Sequence, residues 1–552
     1  MFAENPNVNI GRSTFRRASG TKTSFNVGEL VPIYLDEVLP GDTFKLDTSF
    51  VLRMPSLISP ILDDLYLDTF FFYVPSRLTW VHWRNLMGEN TESAWIPETE
   101  YEVPQVTSPE GGWSVGSLAD YFGIPTGVDN LSISALPFRA YALIVNEFFR
   151  DQNLQDPVNV LLDDSNIIGN NGDNYITDLV KGGKPFIAAK LHDFFTSSLP
   201  GPQRGPSVEI SPIIGGNLNV FGNGYSLPVT DGNVVLGTGY VSENIIRTGR
   251  SNFGVSVGSN ASFDTGLSIN KVVGVPTKEQ LGNNPEYSGL IADGTGLASS
   301  ITVNALRMAT QIQKMYEADA RGGTRYRELI LNHFGVHSPD ARLQIPEYLG
   351  GQRQRIQIQQ VIQSSATNDV TPQGNAAAYS LTGGRNYDFT KSFTEHGFVI
   401  GLACVRYNHT YGQGIPKLFS KKSRFSYFWP KLCNIGEQPT LNKEIYAQGT
   451  SEDEEVFGYQ EAWADYRYKP SIATGYMNPA HNLGLQSWSL VDRYNQLPAL
   501  SSEWIKEDKS NVDRIIAASS EITHQFFGDF MFNNICVRPM PMHSIPGLMD
   551  HH

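Results

Sequence analysis

"FKLDTSFVLRM", residues 44–54, alternates: Phe44, Leu46, Thr48, Phe50 and Leu52 fall on one side of a period-2 ribbon. "LYLDTFFFYVP" (65–75) follows as a near-continuous apolar and aromatic run closed by Pro75, the pattern of a buried strand. "HGFVIGLACVRYN" (396–408) and "FFGDFMFNNICVRPM" (526–540) are built the same way. Such strands near both ends of the chain predict that its first and last parts pair. That is the Greek-key or jelly-roll habit of antiparallel sandwiches.

Two helices interrupt the strands. In "PFRAYALIVNEFFRDQ", Phe138, Tyr141, Ala142, Val145, Phe148 and Phe149 recur at helical spacing, and Pro137 fits a first turn. In "SSITVNALRMATQIQKMYEADARGG" the stripe is Ile301, Ala305, Met308, Ile312 and Met315. Ser299 or Ser300 is placed to cap this helix, and Gly322-Gly323 to end it. Both stripes read as core contacts. Between the helices, residues 211–300 hold 16 glycines and 10 asparagines, with short alternating pieces such as "GNVVLGTGYV" and "NFGVSVGSN". A long segment of this kind predicts small strands joined by tight turns in a surface protrusion.

The 552 residues are 40% hydrophobic and 11% aromatic but only 18% charged, below the usual quarter for a soluble domain. Much of the surface is therefore expected to meet protein rather than water. The formal net charge of -14 speaks against a dedicated nucleic-acid-binding protein, but its distribution is uneven. Arg12, Arg16, Arg17 and Lys22 face only Glu4 in the first 24 residues, a short basic arm on an acidic body. Cys404, Cys433 and Cys536 have no C-x-x-C spacing and encode neither a disulfide framework nor a zinc ribbon. With no signal-like apolar run at the N-terminus, synthesis in the cytoplasm is expected.

Catalytic patterns fail on context. G-x-S-x-G occurs at 112–116 and 254–258, but Ser114 follows a turn and Ser256 lies in the glycine-rich segment. A nucleophile elbow needs a strand before the serine and a helix after it. His333 and His337 are four apart, with no glutamate between them at the catalytic position and Gly335 weakening the helix. "DGTGLASS" lacks the Lys-Ser/Thr of a phosphate loop. No enzyme and no cofactor emerges.

"LFSKKSRFSYFWPK" (418–431) stands apart. From His396 to Gly436 there is no Asp or Glu, while Lys421, Lys422 and Arg424 interleave with Phe425, Tyr427 and Trp429. Cations beside aromatic faces suit single-stranded nucleic acid. The competing reading makes the alternating aromatics one face of a strand.

Long segments carry a resemblance. "LPFRAYALIVNEFFRDQNLQDPV", "KLHDFFTSSLPGPQRGP", "RMATQIQKMYEADARGGTRYRELILNHFGVHSPDARLQIPEYLGG", "TEHGFVIGLACVRYNHTYGQGIPKLFSKKSRFSYFWPKLCNIGEQPTLNKEIY", "FGYQEAWADYRYKPSIATG" and "ICVRPMPMHSIPGLMD" are similar to the major capsid proteins of microviruses, small single-stranded DNA phages, and most of all to the gokushovirus branch. The resemblance implies a mainly β fold, an eight-stranded antiparallel jelly roll with long loop insertions and a few helices. The domains would be a basic arm (1–30), the jelly roll in two parts (31–210 and 296–552) and an insertion forming a protrusion (211–295). About sixty copies would close an icosahedral virion shell around single-stranded DNA, with a small basic DNA-packaging peptide, scaffolding and DNA-pilot proteins and a bacterial surface receptor as partners. Arg12, Arg16, Arg17, Lys22, Lys421, Lys422, Arg424, Phe425, Tyr427 and Trp429 are then the candidates to face DNA or a subunit boundary. The rival reading is a β-sandwich adhesin or carbohydrate-binding module.

Overall fold

The computed structural model describes residues 11–91, 99–206, 220–222, 228–230, 235–238, 290–292, 303–367, 372–481 and 485–543. The chain divides into two compact units, Met1–Gly205 with Tyr316–His552, and Pro206–Met315.

The first unit is built on two antiparallel sheets. Its strands are β1 (Ser13–Phe25), β2 (Val31–Val38), β3 (Thr43–Arg53), β4 (Leu65–Pro75), β5 (Glu347–Arg355), β6 (Ile358–Ile362), β7 (Ala376–Ser392), β8 (Gly397–Tyr407) and β9 (Phe526–Arg538). One sheet runs β1-β9-β3-β7-β6, the other β5-β4-β8-β2. The stretches that open the sequence reading are mutual partners: Phe50 of β3 pairs with Phe530 of β9, and Phe72 of β4 with Ile400 of β8. The ends of the chain therefore close on each other, as expected of a jelly roll.

Why β3 alternates while β4 and β8 do not follows from what covers each face. Between the sheets lies one core, with Phe44, Leu46, Phe50, Leu52, Phe71, Val399, Val405, Phe530 and Phe532 all buried. Phe71 of one sheet meets Phe389 and Phe532 of the other at 5.9 and 6.4 Å. Each such side chain contributes roughly 1.5–3 kcal/mol on leaving water. The outer face of the four-stranded sheet holds a second core, where Phe72, Val74, Ile400, Leu402 and Cys404 pack with Phe138, Tyr141 and Ile144 of helix α1 (Leu136–Ile144). Strands buried on both faces read as continuous apolar runs. Tyr141 locks this layer: its hydroxyl donates to the Leu30 carbonyl at 2.7 Å and accepts from Phe186 N–H at 3.1 Å.

Helix α1 begins at the expected proline and ends in a π-helical turn, Val145–Phe149. That turn swings Phe148 and Phe149 onto Phe72 and Phe70, at 4.7 and 5.0 Å. Inside the otherwise apolar β4, Asp68 is buried and held by Arg353 and Arg406, at 2.6 and 2.7 Å.

Three expectations are corrected. The two sheets contain nine strands rather than eight, because residues 13–25 of the supposed arm form an edge strand along the whole of β9. The stripe on helix α2 (Val303–Gly322) is not core: Met308 and Met315 are 63% and 52% exposed. Segment 424–429 is not a strand, since Pro416, Ser423 and Pro430 break it into short 3-10 turns. The caps Ser299 and Ser300, the stripe residue Ile301, Ser256, the loop at 293–300 and most of 211–295 lie outside the described residues.

In the second unit, Val220–Gly222 pairs with Leu290–Ala292 and Pro228–Thr230 with Val235–Thr238, both antiparallel. One strand of the second ladder, Val235–Thr238, falls on the expected short-strand piece "GNVVLGTGYV".

Candidate assembly and nucleic-acid surfaces

After β8 the chain leaves the sandwich and returns as the hairpin Glu437–Leu441 and Val456–Glu461. The acid-free window takes in β8 itself, and its greater part, from Asn408 to Gly436, occupies this excursion, which Trp463 anchors. Trp463, buried and in the left-handed region at φ 64°, donates its indole N–H to the Leu432 carbonyl at 2.7 Å and meets Phe428 edge-on at 5.7 Å.

The window lacks acids because its partners come from other segments. Arg406 is taken by Asp68, Lys417 lies 3.6 Å from Glu444, and Lys422 lies 3.7 Å from Glu454. Lys421 is the most enclosed: it binds Asp465 at 2.6 Å and sits 3.9 Å over the Tyr466 ring. Burial opposes its charge, but Asp465 and Tyr466 outweigh that and raise its pKa. The Arg424 guanidinium stacks 4.6 Å above Trp429, whose indole N–H donates back to the Arg424 carbonyl at 3.0 Å.

What the window presents is therefore aromatic more than cationic. Leu418, Phe419, Phe425, Tyr427, Phe428, Trp429 and Ile435 are all exposed, Phe419 and Phe425 by 75% and 71%. Tyr466 and Tyr468 extend the patch. Contiguous apolar surface of this kind marks an interaction site.

The arm candidates separate by strand register. Arg16 is exposed opposite Ile535 on the solvent side of the five-stranded sheet. Arg17, one residue on, points to the other side and pairs with Asp36 of β2. Lys22 is exposed and binds Asp529 at 2.7 Å. Arg12 precedes β1 and is exposed. Arg12, Arg16, Arg17 and Lys22 thus belong to one edge of the sandwich, while Lys421, Lys422, Arg424, Phe425, Tyr427 and Trp429 belong to the excursion after β8. Sequence reasoning missed Lys45, Arg53 and Arg385, which share the solvent face with Arg16. The signal was present in "FKLDTSFVLRM", whose outward set includes Lys45 and Arg53.

Among the described residues no three His, Cys, Asp or Glu side chains are placed to hold a metal ion, and the three cysteines are unpaired. His333 ends helix α3 (Tyr326–Phe334) bound to Asp319, and Gly335 terminates the helix at φ 67°. Ser114 lies in irregular chain well past the short strand Gln105–Thr107, so no strand runs into it. A cleft of about 970 Å³ near Arg150, Asp193, Arg321, Glu328, Glu461 and Arg467 mixes both signs of charge without converging on one point. No helix among the described residues is long and apolar enough to cross a membrane.

Comparison with known proteins agrees with this picture. Residues 3–548 match the family model described as "Capsid protein (F protein)". The chain is 44% identical to capsid protein VP1 of Spiroplasma virus 4 over 553 residues, covering 99% of this chain and 97% of the relative. It is 40% identical to capsid protein VP1 of Chlamydia phage 1 and 39% identical to that of Bdellovibrio phage phiMH2K, at the same coverage of both partners. These relatives are structural proteins, and the virion is where such proteins reside. The chain belongs to the phage capsid protein (F protein) family, the major capsid proteins of microviruses.

Proposed function

We propose that this chain assembles with copies of itself into a closed icosahedral shell, of about sixty subunits, that encloses single-stranded DNA. The observation that carries the reading is the aromatic excursion. Seven large apolar side chains between Leu418 and Ile435 stand exposed on a chain whose relatives are capsid proteins. Interface cores are rich in aromatics and poor in charge. Phe425, Tyr427 and Trp429 are read as contacts at a subunit boundary, with Lys421, Lys422 and Arg424 holding their backbone in place. Arg12, Arg16 and Lys22 are read as DNA-facing. A gokushovirus-type protrusion at 211–295 would engage a bacterial surface receptor, and a basic packaging peptide, scaffolding and DNA-pilot proteins would take part in assembly.

Electron microscopy with nucleic-acid analysis of nuclease-treated particles, co-expressed with neighbouring gene products, tests the reading. Uniform shells holding protected single-stranded DNA are expected. Monomers or small oligomers alone would overturn it and bring the adhesin forward. Deleting 211–295 should spare the sandwich and abolish attachment; an unfolded product would refute the protrusion.

A further inference from the structure

The two sheets have four broad faces. Two meet in the central core and one is covered by helix α1, so among the described residues the solvent side of β1-β9-β3-β7-β6 is the open one. Register fixes what stands on it. Arg16, Ile535 and Lys45 form one cross-strand row, and Ala18, Asn533, Asp47 and Tyr387 the next. Gly20, Met531, Ser49 and Arg385 follow, then Lys22, Asp529, Val51 and Gly383, and last Ser24, Phe527, Arg53 and Leu381.

Five cations and two acids share this face, in a chain with 42 basic and 56 acidic residues. Both acids are already engaged, Asp529 by Lys22 at 2.7 Å and Asp47 by Arg385 at 3.8 Å. Arg16, Lys45 and Arg53 are exposed and have no carboxylate partner among the described residues. Gly20, Gly383, Ala18 and Ser49 keep part of the floor low, Met531, Val51 and Leu381 stand exposed among them, and two tyrosines, Tyr387 and Tyr379, rise from it 54% and 44% exposed. Lys45 Nζ sits 5.6 Å over the Tyr387 ring. Five strands at about 4.8 Å spacing give a surface roughly 20–24 Å across.

We propose that this face is a sequence-independent binding surface for single-stranded DNA, and so the genome-facing wall of the subunit. The proposal rests on the capsid reading and gives it a location. Arg16, Lys45 and Arg53 meet phosphates, and Tyr387 and Tyr379 offer rings on which bases stack, the combination of groove cations and stacking platforms that single strands require. Attraction to phosphate alone carries no sequence information, which suits enclosure of a whole genome. Three exposed cations without carboxylate partners among the described residues, on one sheet face, attract a polyanion to that face.

The test uses the full-length chain, unassembled, and a 20-nucleotide oligo(dT). The combined variant Arg16→Gln, Lys45→Gln, Arg53→Gln should weaken binding at least tenfold at low salt. The slope of log affinity against log salt should fall by about 2, from roughly 0.7 per phosphate contact. A control of equal charge change elsewhere, Arg342→Gln, Arg493→Gln, Lys509→Gln, should stay within twofold. Equal losses in both variants, no loss in the first, or no binding by the parent chain would overturn the proposal. So would a first variant that altered self-association and left oligo(dT) binding intact, which would make the face a subunit contact. In co-expressed particles the first variant should close shells with less DNA. Normal shells with normal DNA would refute this face alone, whereas failure of the parent chain to form shells would refute the capsid reading.

Discussion

His409 is fully buried, yet its ring lies 2.8 Å from Asp492 and 3.3 Å from Glu507, with the Tyr407 ring tilted against it at 4.6 Å. Lys190 adds a second buried cation 3.8 Å from Asp492. Burial alone would lower the pKa of His409, but the two carboxylates outweigh it and raise the value to about 10. Asp492 moves the opposite way, lowered by His409 and Lys190 against its own desolvation. The sign follows from linkage. A raised histidine pKa stabilises the fold fully below its unfolded value of 6.5, and that contribution is lost as pH rises through about 10. The lowered Asp492 contributes above its unfolded value of 3.8 and is lost as pH falls below it. The melting temperature of the unassembled chain should therefore decline between about pH 6.5 and 10. His409→Gln should remove that part of the decline and cost roughly 3–5 kcal/mol at neutral pH, the usual penalty for stranding buried carboxylates. An unchanged pH profile in the variant would show that His409 is not charged in the fold.

At the scale of the element, register decides which substitutions matter. Leu52 is fully buried and Val51 is 43% exposed on the same strand. Leu52→Ala should lose about 2–5 kcal/mol, and Val51→Ala about 0.5 kcal/mol or less, in denaturant unfolding. The same alternation separates two neighbouring arginines. Arg17→Glu would set a carboxylate beside Asp36, costing ~1–2 kcal/mol once solvent screening of the 41% exposed guanidinium position is allowed for. Arg16→Glu should leave the unfolding free energy unchanged within about 0.5 kcal/mol. Equal effects at 16 and 17 would mean that β1 is not paired in this register. That strands near the two ends of the chain pair was legible in the sequence, and so was the covering of β3 and β4, because a strand with one wet face alternates and a strand with two dry faces does not; which strand pairs with which was not. The ninth strand was not legible, because "STFRRASGTKTSF" is polar on both sides and lies at an edge, where few contacts select its residues. The Met308 and Met315 stripe misled for a related reason: apolar spacing identifies a face that favours burial without saying what covers it.

For the molecule as a whole, the same distinction separates two kinds of surface that composition had merged. The acid-free window and the basic arm both read as sites for DNA, since cations near aromatics look alike in a linear sequence. Folding pairs most of the window's cations with carboxylates from distant segments and leaves its rings outside, while the sheet face keeps Arg16, Lys45 and Arg53 exposed. Those carboxylates lie beyond the window, so no local reading finds them. If the rings are cohesive contacts between subunits, replacing them must affect assembly and spare the fold. Phe419 and Phe425 are 75% and 71% exposed, so Phe419→Ser with Phe425→Ser forfeits little burial in the single chain. Its melting temperature should stay within about 1 °C of the parent, roughly the shift expected from 1 kcal/mol in a chain of this size. In a shell held by such contacts each ring would be buried in every copy. Even about 1.4 kcal/mol lost per contact weakens that contact tenfold, and the loss recurs around a closed symmetric assembly. Light scattering or sedimentation of co-expressed material should show at least a tenfold fall in closed particles, with soluble subunits in their place. Particles in normal yield would assign the rings to some other partner. A lowered melting temperature would mean that they pack within the chain after all.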